Sequence, residues 1–246
     1  MASTALTIES LAAAGAEIIE IGVPFSDPIA DGPVIAEAMK GAIEHGATPP
    51  ALFAMLAEVR PKVDAALILM VSASIVERIG RAEFISKAKA AGADGLIVPD
   101  LDLDEAPDLA ERCGRAGLDL TLLVAPATGR ARLERIASLS RGFIYLLSRQ
   151  GVTGAAASHG ASESGGSSMT VADDDLARRV AEVRHVSRLP IACGFGISSA
   201  IDVKRVTKVC EGAIVGSALV RAMAEAKSPE DAAARATALY RSLRGA

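Results

Sequence analysis

The chain has 246 residues, of which 50% are hydrophobic and 23% charged, and its formal net charge is −4. This balance is typical of a globular protein and excludes disordered or collagen-like chains. A chain of this length can bury enough apolar surface to fold without disulfides, and we expect one domain over residues 1–246. The slight excess of acidic over basic residues leaves no strongly basic surface, so we expect no nucleic-acid partner.

The cysteines and the N-terminal residues bear on metal binding and on location. Cys113, Cys193 and Cys210 are odd in number and lack the spacing of metal ligands. They are predicted to be reduced, packed thiols, and no metal is expected. The first ten residues contain no Lys or Arg, and the longest apolar run, 65–71, is far too short to cross a membrane. We therefore predict a cytoplasmic protein that makes no membrane contact.

Short apolar runs alternate with longer stretches of helical periodicity. The runs are nearly continuous in apolar residues, as in parallel strands that are covered on both faces. Seven of them are predicted to be strands: 16–22, 65–71, 95–99, 118–124, 143–147, 189–195 and 212–217. Amphipathic helices are predicted between them, including 36–43, 51–59, 105–117 and 176–184.

This repeated strand–helix order predicts either a (β/α)8 barrel or a doubly wound sheet. No G-x-G-x-x-G turn follows the first strand, as a dinucleotide-binding sheet would require. Glycine-rich turns at 194–198 and 215–217 instead follow the last two strands, where barrels bind phosphate. We therefore predict an α/β protein with a TIM barrel. Only seven of the eight strands are found, and residues 7–17 are typical of a helix, so we expect the first strand to be missing.

The segment from about 150 to 172 is the one low-complexity stretch. It is rich in Gly, Ser and Ala, a composition that buries little apolar surface and so predicts a mobile loop. A loop this long within a domain is typically a lid or a disordered insertion.

Two acidic residues in the segment 20–33 are the strongest candidates for catalysis. Glu20 lies near the C-terminal end of the first predicted strand, where a barrel places its active site, and Asp31 lies in the following loop. A carboxyl group that faces a barrel interior is costly to ionise, so its pKa is expected to be raised and it is suited to proton transfer. A second carboxyl group near the same pocket allows the two to divide the roles of acid and base. The alternative is a salt bridge at Glu20, with Asp27 and Asp31 serving as turn residues.

Glycine-rich turns after the last three strands predict a site for a phosphorylated ligand. They lie at 151–154, 194–196 and 216–217, and their backbone N–H groups can bind an anion, to which Ser217 adds a hydroxyl. Each turn by itself could equally be a tight turn and nothing more. Three residues are weaker candidates for the same face: Tyr145, Asp100 and Arg149. Tyr145 could instead be an aromatic residue of the core, Asp100 a helix cap, and Arg149 a solvated charge in a loop.

Five segments together resemble the α subunit of tryptophan synthase, and they occur in that family's order. They are EIGVPFSDPIADGP, GLIVPDL, RGFIYLLSRQGVTG, GFGIS and GAIVGSALV. The resemblance implies a (β/α)8 barrel and a carbon–carbon lyase that cleaves indole-3-glycerol phosphate into indole and glyceraldehyde 3-phosphate, a step of L-tryptophan biosynthesis. It also implies a β subunit in an α2β2 assembly. The pyridoxal phosphate belongs to that subunit, so no cofactor is expected in this chain.

The resemblance also implies roles for individual residues. Glu20 matches the catalytic glutamate that protonates the indole ring, and Asp31 matches the aspartate that holds the indole N–H as positive charge develops on the ring. Six further residues match substrate-binding positions: Tyr145 and Phe195 beside the indole part, and Gly154, Gly196, Gly216 and Ser217 at the phosphate.

Two of the chain's departures from the family pattern concern the opening strand and the loop at 72–75. Nothing in it matches the opening strand, roughly VTLGDP, that closes the family's barrel, so we expect open strand edges and a slow, association-prone lyase. The loop that usually reads YYNP is SASI at 72–75, on the side that faces the β subunit. Two alternatives stay open: a catalytically weak barrel that binds a phosphate ligand and acts on a partner, and a stand-alone lyase that releases indole.

Overall fold

Parallel strands and helices alternate along the computed structural model, which describes residues 1–28, 31–147, 168–194 and 196–245, with the backbone alone described for 168–173. The strands are β1 Ile18–Gly22, β2 Ala66–Met70, β3 Gly95–Ile97, β4 Asp119–Thr121, β5 Leu123–Val124, β6 Ile144–Leu147, β7 Ile191–Gly194 and β8 Gly212–Ile214. The helices are α1 Ala2–Ala13, α2 Pro33–Glu44, α3 Pro49–Val59, α4 Ala73–Ile79, α5 Arg81–Ala90, α6 Ala106–Ala116, α7 Arg130–Leu139, α8 Ser168–Val186, α9 Ala200–Val206, α10 Ser217–Ala224 and α11 Pro229–Arg244.

The strands pair side by side, all in parallel, in the order of the chain. β1 to β4 form one ladder and β5 to β8 another, and Leu122 alone separates β4 from β5, so these two are parts of one strand run. All seven predicted strand runs are confirmed, each somewhat shorter than its apolar run. Within the described residues β1 pairs only with β2, and β8 only with β7, so the strand layer is open between them, as the strand count predicts.

Alternate residues of the strands face two different apolar layers. One cluster packs Ile68, Ile97, Phe143 and Tyr145 against one another inside the barrel. The larger cluster, to which Leu67 belongs, lies between the strands and the helices. Because side chains alternate between the two faces of a strand, a residue in register with Ile68 faces the barrel interior.

Helices cover the outside of the barrel on the side where the strand layer is open. α1 packs along α11, where the Tyr240 hydroxyl donates to the carbonyl of Gly15 at 2.7 Å. The Thr7 hydroxyl on α1 donates to Sδ of Met223 on α10 at 3.7 Å, and α10 also packs against α2. The helix layer is therefore continuous where the strand layer is not.

The predicted loop at about 150–172 needs a correction at its C-terminal end. α8 begins at Ser168, so residues 168–172 are helical and not loop. Met169 and Ala172 are strong helix formers, and their preference outweighs the Ser-rich composition. The rest of the predicted loop falls within 148–167 and lies outside the described residues.

Two predictions on composition can be compared with the structure. The three cysteines, Cys113, Cys193 and Cys210, are buried and form no disulfide, as expected of packed thiols. Among the helices that the structure describes, none has the length and apolar character needed to cross a lipid bilayer.

Candidate active site

Glu20 occupies the middle of β1 and faces the interior of the barrel. Its register partner on β2 is Ile68, a member of the interior cluster. The side chain is half-buried, and the loss of water around the carboxyl group raises its pKa from the ordinary 4.5 to about 7. A carboxyl group with this pKa can hold a proton and release it at neutral pH, which is what a general acid requires.

Tyr145 and Asp31 lie close enough to Glu20 to share its electrostatic environment. Tyr145, on β6, is only 8% exposed. Burial raises the pKa of its hydroxyl well above the ordinary value, and the negative charges of Glu20, Cys193 and Asp31 raise it further. Asp31 is half-buried in the loop after β1, where its amide donates to the carbonyl of Pro28 at 3.0 Å. The structure thus brings both predicted catalytic carboxylates and the predicted tyrosine to one region of the barrel.

The position of the Tyr145 ring depends on Gly194, whose role the sequence analysis missed. A Cβ atom placed on Gly194 would lie 2.6 Å from the Tyr145 hydroxyl oxygen and 2.7 Å from Cε1 of the ring. Gly194 ends β7 and opens the predicted turn 194–198, so its glycine was attributed to the turn alone. One feature of the sequence could have indicated this role: a glycine at the end of an apolar strand often marks a place where another group approaches the backbone closely.

The glycines of the predicted phosphate site lie at the C-terminal ends of neighbouring strands. Gly196 follows β7 and has a φ of +74°, which few other residues adopt, and Gly216 precedes α10, whose first residue is Ser217. An added Cβ atom would meet nothing within 4 Å at either glycine. The two turns therefore border open space beside the N-terminus of α10, where backbone N–H groups are available to an anion.

Three predicted residues of this face cannot be placed. Gly154 and Arg149 fall within 148–167, and Phe195 is a single gap between β7 and Gly196; all three lie outside the described residues. Their assignments stay predictions.

Asp100 is a helix cap, but for a different helix from the predicted one. Its carboxylate accepts hydrogen bonds from the Ser72 hydroxyl at 2.7 Å and from the amide of Ala73 at 2.8 Å. These two residues start α4, after β2, whereas the prediction placed Asp100 at the helix that follows it. The bonds join the loops after β2 and β3 because the C-terminal ends of neighbouring parallel strands meet at one edge.

Over the part of the chain that the structure describes, no three His, Cys, Asp or Glu side chains are grouped as metal ligands would be. The described site offers carboxyl groups at Glu20 and Asp31, a tyrosine hydroxyl at Tyr145, and backbone amides at its glycine turns. Such groups suit proton transfer and the binding of an anion.

We expect the stability of the chain, relative to a Glu20→Gln variant, to fall as the pH rises from about 4.5 to about 7. The folded chain keeps the Glu20 proton up to about pH 7, whereas the unfolded chain releases it near 4.5, so ionisation in this window disfavours the folded state. The variant should match the parent at pH 4.5 and exceed its free energy of unfolding at pH 8 by up to about 3 kcal/mol. Urea unfolding of both proteins at the two pH values measures this, and a pH-independent difference would show that Glu20 titrates normally.

Comparison with known proteins identifies the family. The family model described as tryptophan synthase alpha chain matches residues 1–246. The chain is 39% identical over 241 residues to the tryptophan synthase alpha chain of Nitrosococcus oceani, which covers 97% of this chain and 84% of that one. It is 44% identical over 224 residues to the tryptophan synthase alpha chain of a Synechococcus species, and the match covers 91% of this chain and 78% of that one.

Solved structures agree with the sequence comparison. A mutant tryptophan synthase alpha-subunit from Pyrococcus furiosus matches with a TM-score of 0.82 and 31% identity, over 99% of this chain and 92% of that one. Tryptophan synthase from Mycobacterium tuberculosis matches with a TM-score of 0.82 and 32% identity, over 98% and 87%. The predicted TIM barrel and the predicted lyase activity on indole-3-glycerol phosphate are thereby confirmed, and the chain belongs to the tryptophan synthase alpha chain family.

Proposed function

We propose that Glu20 and Asp31 carry the cleavage of indole-3-glycerol phosphate in this chain, with the phosphate held at Gly196, Gly216 and Ser217. The observation that supports this most directly is the pKa of about 7 at Glu20, on a strand that faces the barrel interior. Near neutral pH such a group is present in both its acid and its base form, so it can give a proton and take one back.

The proposed reaction begins with proton transfer from Glu20 to the indole ring carbon that bears the glycerol phosphate chain. Positive charge then develops on the ring nitrogen, and the Asp31 carboxylate accepts a hydrogen bond from that N–H and stabilises the cation. The carbon–carbon bond breaks, and its electron pair restores the aromatic ring. The hydroxyl proton on the neighbouring carbon passes to the Glu20 carboxylate, which leaves indole, glyceraldehyde 3-phosphate and the original acid.

Tyr145 is proposed to form one wall of the indole pocket. Its pKa is raised far from neutrality, so the hydroxyl stays protonated and acts as a hydrogen-bond donor and a contact surface, not as a base. Gly154 and Phe195 are proposed, from the family pattern alone, to complete the phosphate and indole contacts.

The remaining assignments concern the partner and the cofactor. Family membership implies a small-molecule substrate and a β-subunit partner; we propose an α2β2 assembly in which pyridoxal phosphate belongs to the β subunit and this chain uses none. Indole production by the purified chain, with and without a β subunit, separates a channelled lyase from a stand-alone lyase and from a barrel that only binds its ligand.

We expect Gly196→Asp to abolish the binding of glycerol phosphate. The backbone at Gly196 has a positive φ, and the added carboxylate would project into the open space proposed for the phosphate, where it repels the anion. Isothermal titration with glycerol phosphate and with glycerol measures the effect. Gly129→Ala is the control, because an added Cβ atom there also meets nothing within 4 Å but lies at the start of α7. Equal affinity of the parent chain for glycerol and glycerol phosphate would contradict the site.

A further inference from the structure

Two of the three cysteines are neighbours on the side of the strands that faces the helices. Cys193 lies on β7 and Cys210 in the turn between α9 and β8, and both belong to the apolar cluster between strands and helices. Cys193 is 0% exposed and Cys210 is 4% exposed. Their thiols are hydrogen-bonded to each other, so the fold brings together two sulfur atoms that lie on different elements.

Hydrogen bonds hold the backbone next to Cys210 against β7. The amide of Glu211 donates to the carbonyl of Ile191 at 3.0 Å, and the Glu211 carboxylate accepts from the amide of Ile191 at 2.8 Å. The amide of Cys210 donates to the carbonyl of Val206, the last residue of α9, at 3.0 Å. The position of Cys210 beside Cys193 is therefore set by backbone contacts on both sides of it.

Cys210 also lines a surface cleft of about 460 Å³ between the C-terminal half of α8 and the turn 207–211. Arg184 and Lys208 border this cleft, and the Arg184 guanidinium donates to the Glu211 carboxylate at 2.6 Å. The cleft is much larger than the space that one water molecule needs. A small reagent can therefore approach Cys210 from solvent, whereas Cys193 lies behind it and does not line the cleft.

The surroundings of Cys210 favour its thiolate, which is the reactive form of cysteine. The hydrogen bond with Cys193 lowers the pKa of the Cys210 thiol, and the charge of Arg184 acts in the same direction, against the opposing effects of burial and of Glu211. Cys113 on α6 is the opposite case, because burial raises the pKa of its thiol to about 12. The two buried environments therefore predict different reactivities.

We propose that Cys193 and Cys210 form a reversible redox site, which a hydroperoxide entering the cleft oxidises to a disulfide. The Cys210 sulfur attacks one oxygen of the hydroperoxide and the O–O bond breaks. The other oxygen leaves with the proton of Cys210 as an alcohol, or as water from hydrogen peroxide, and Cys210 becomes a sulfenic acid. The Cys193 sulfur then attacks the Cys210 sulfur, the S–O bond breaks, and the oxygen leaves as water with the Cys193 proton. The two thiols thereby supply the two electrons that the hydroperoxide takes up.

Oxidation also affects the reaction, a consequence that rests on the role proposed for Tyr145. Cys193 directly precedes Gly194, against which the Tyr145 side chain packs so closely that no Cβ atom fits there. A disulfide draws the backbone at Cys193 towards Cys210 and so alters the fit between Gly194 and the tyrosine ring. Indole formation should fall by at least about threefold on oxidation and recover with dithiothreitol. Disulfide formation itself does not depend on that role, so the two are measured separately.

The test treats the full chain with a small excess of hydrogen peroxide and follows its intact mass and its tryptic peptides. The chain should lose two hydrogen atoms, about 2 Da, when the disulfide forms. Trypsin places Cys193 and Cys210 in separate peptides, 189–204 and 209–221, because Lys or Arg residues flank both. The disulfide should join these two peptides, and dithiothreitol should separate them.

Alanine variants, each checked by thermal unfolding to be folded, separate the roles of the cysteines. Cys193→Ala should stop the reaction at the sulfenic acid of Cys210, a gain of one oxygen, about 16 Da, that dimedone traps. Cys210→Ala should be oxidised at least about tenfold more slowly than the parent chain. Cys113→Ala is the matched control, since Cys113 is also 0% exposed, and it should form the disulfide at the parental rate.

Three results would overturn the proposal: thiols that stay reduced in peroxide that oxidises free cysteine, a disulfide that joins two chains, or a disulfide that includes Cys113. An internal disulfide without any change in indole formation would retain the redox site and remove its effect on the Tyr145 contact. No indole formation by the reduced chain, with the disulfide forming as expected, would count against the proposed function alone.

Discussion

Glu20→Gln should lower the rate of indole formation by about 10²–10⁴ while the protein stays folded. General acid–base catalysis contributes about that range, and glutamine keeps the shape of the side chain but has no proton to transfer to the ring carbon. Single-turnover cleavage of indole-3-glycerol phosphate measures the chemical step apart from product release. The loss should appear in kcat more than in KM, because the substrate contacts are unchanged.

Glu17→Gln is the matched control for this experiment. Glu17 lies three residues earlier on the same segment, is exposed, and has its carbonyl bonded to the amide of Ala66. The same chemical change at this position should leave the rate unaltered. Near-parental turnover of Glu20→Gln would remove Glu20 from the mechanism, and an equal loss in both variants would indicate a general effect on the sheet.

The fold could be predicted from the sequence because its strands are buried on both faces. Each strand is a continuous apolar run, so its position is visible without knowledge of its neighbours, and the order of runs and helices specifies a parallel sheet. The opening between β1 and β8 could also be predicted, because the sequence contains only seven of the eight strand runs that a closed barrel requires. The ends of the elements were less accurate: α8 begins inside the segment predicted as a loop, where helix-forming residues interrupt a Ser-rich composition.

The candidate site was only partly predictable, because a sequence shows residue types and not the distances between them. Glu20 and Asp31 stand out, since one acid interrupts an apolar strand and the other lies in the loop that follows that strand. The cap that Asp100 supplies to α4 joins two loops that are 27 residues apart, and nothing local to Asp100 specifies which helix start it reaches. The same limit applies to Gly194, whose neighbour Tyr145 lies on another strand.

That contact leads to the second large effect: Gly194→Ala should destabilise the protein and strongly reduce indole formation. The new methyl group would lie within 2.6–2.9 Å of three atoms of the Tyr145 side chain, so the ring must move out of its place in the interior cluster. Overpacking of this kind costs about 1–3 kcal/mol, measurable by urea unfolding. Gly41→Ala in α2 is the control, since an added Cβ atom there meets nothing within 4 Å, and alanine in a helix should stabilise slightly.

Substitutions at Tyr145 distinguish this contact from a general effect of alanine at Gly194. Tyr145→Phe removes the hydroxyl but keeps Cε1, which would lie 2.7 Å from the new methyl group, so Gly194→Ala should stay harmful in that background. Tyr145→Leu removes the outer part of the ring, and there the added cost of Gly194→Ala should disappear. A double-mutant cycle on the free energy of unfolding should therefore give a coupling of about 1–2 kcal/mol with leucine and a smaller one with phenylalanine. Additive effects in both backgrounds would mean that the strand, and not the tyrosine, requires glycine at this position.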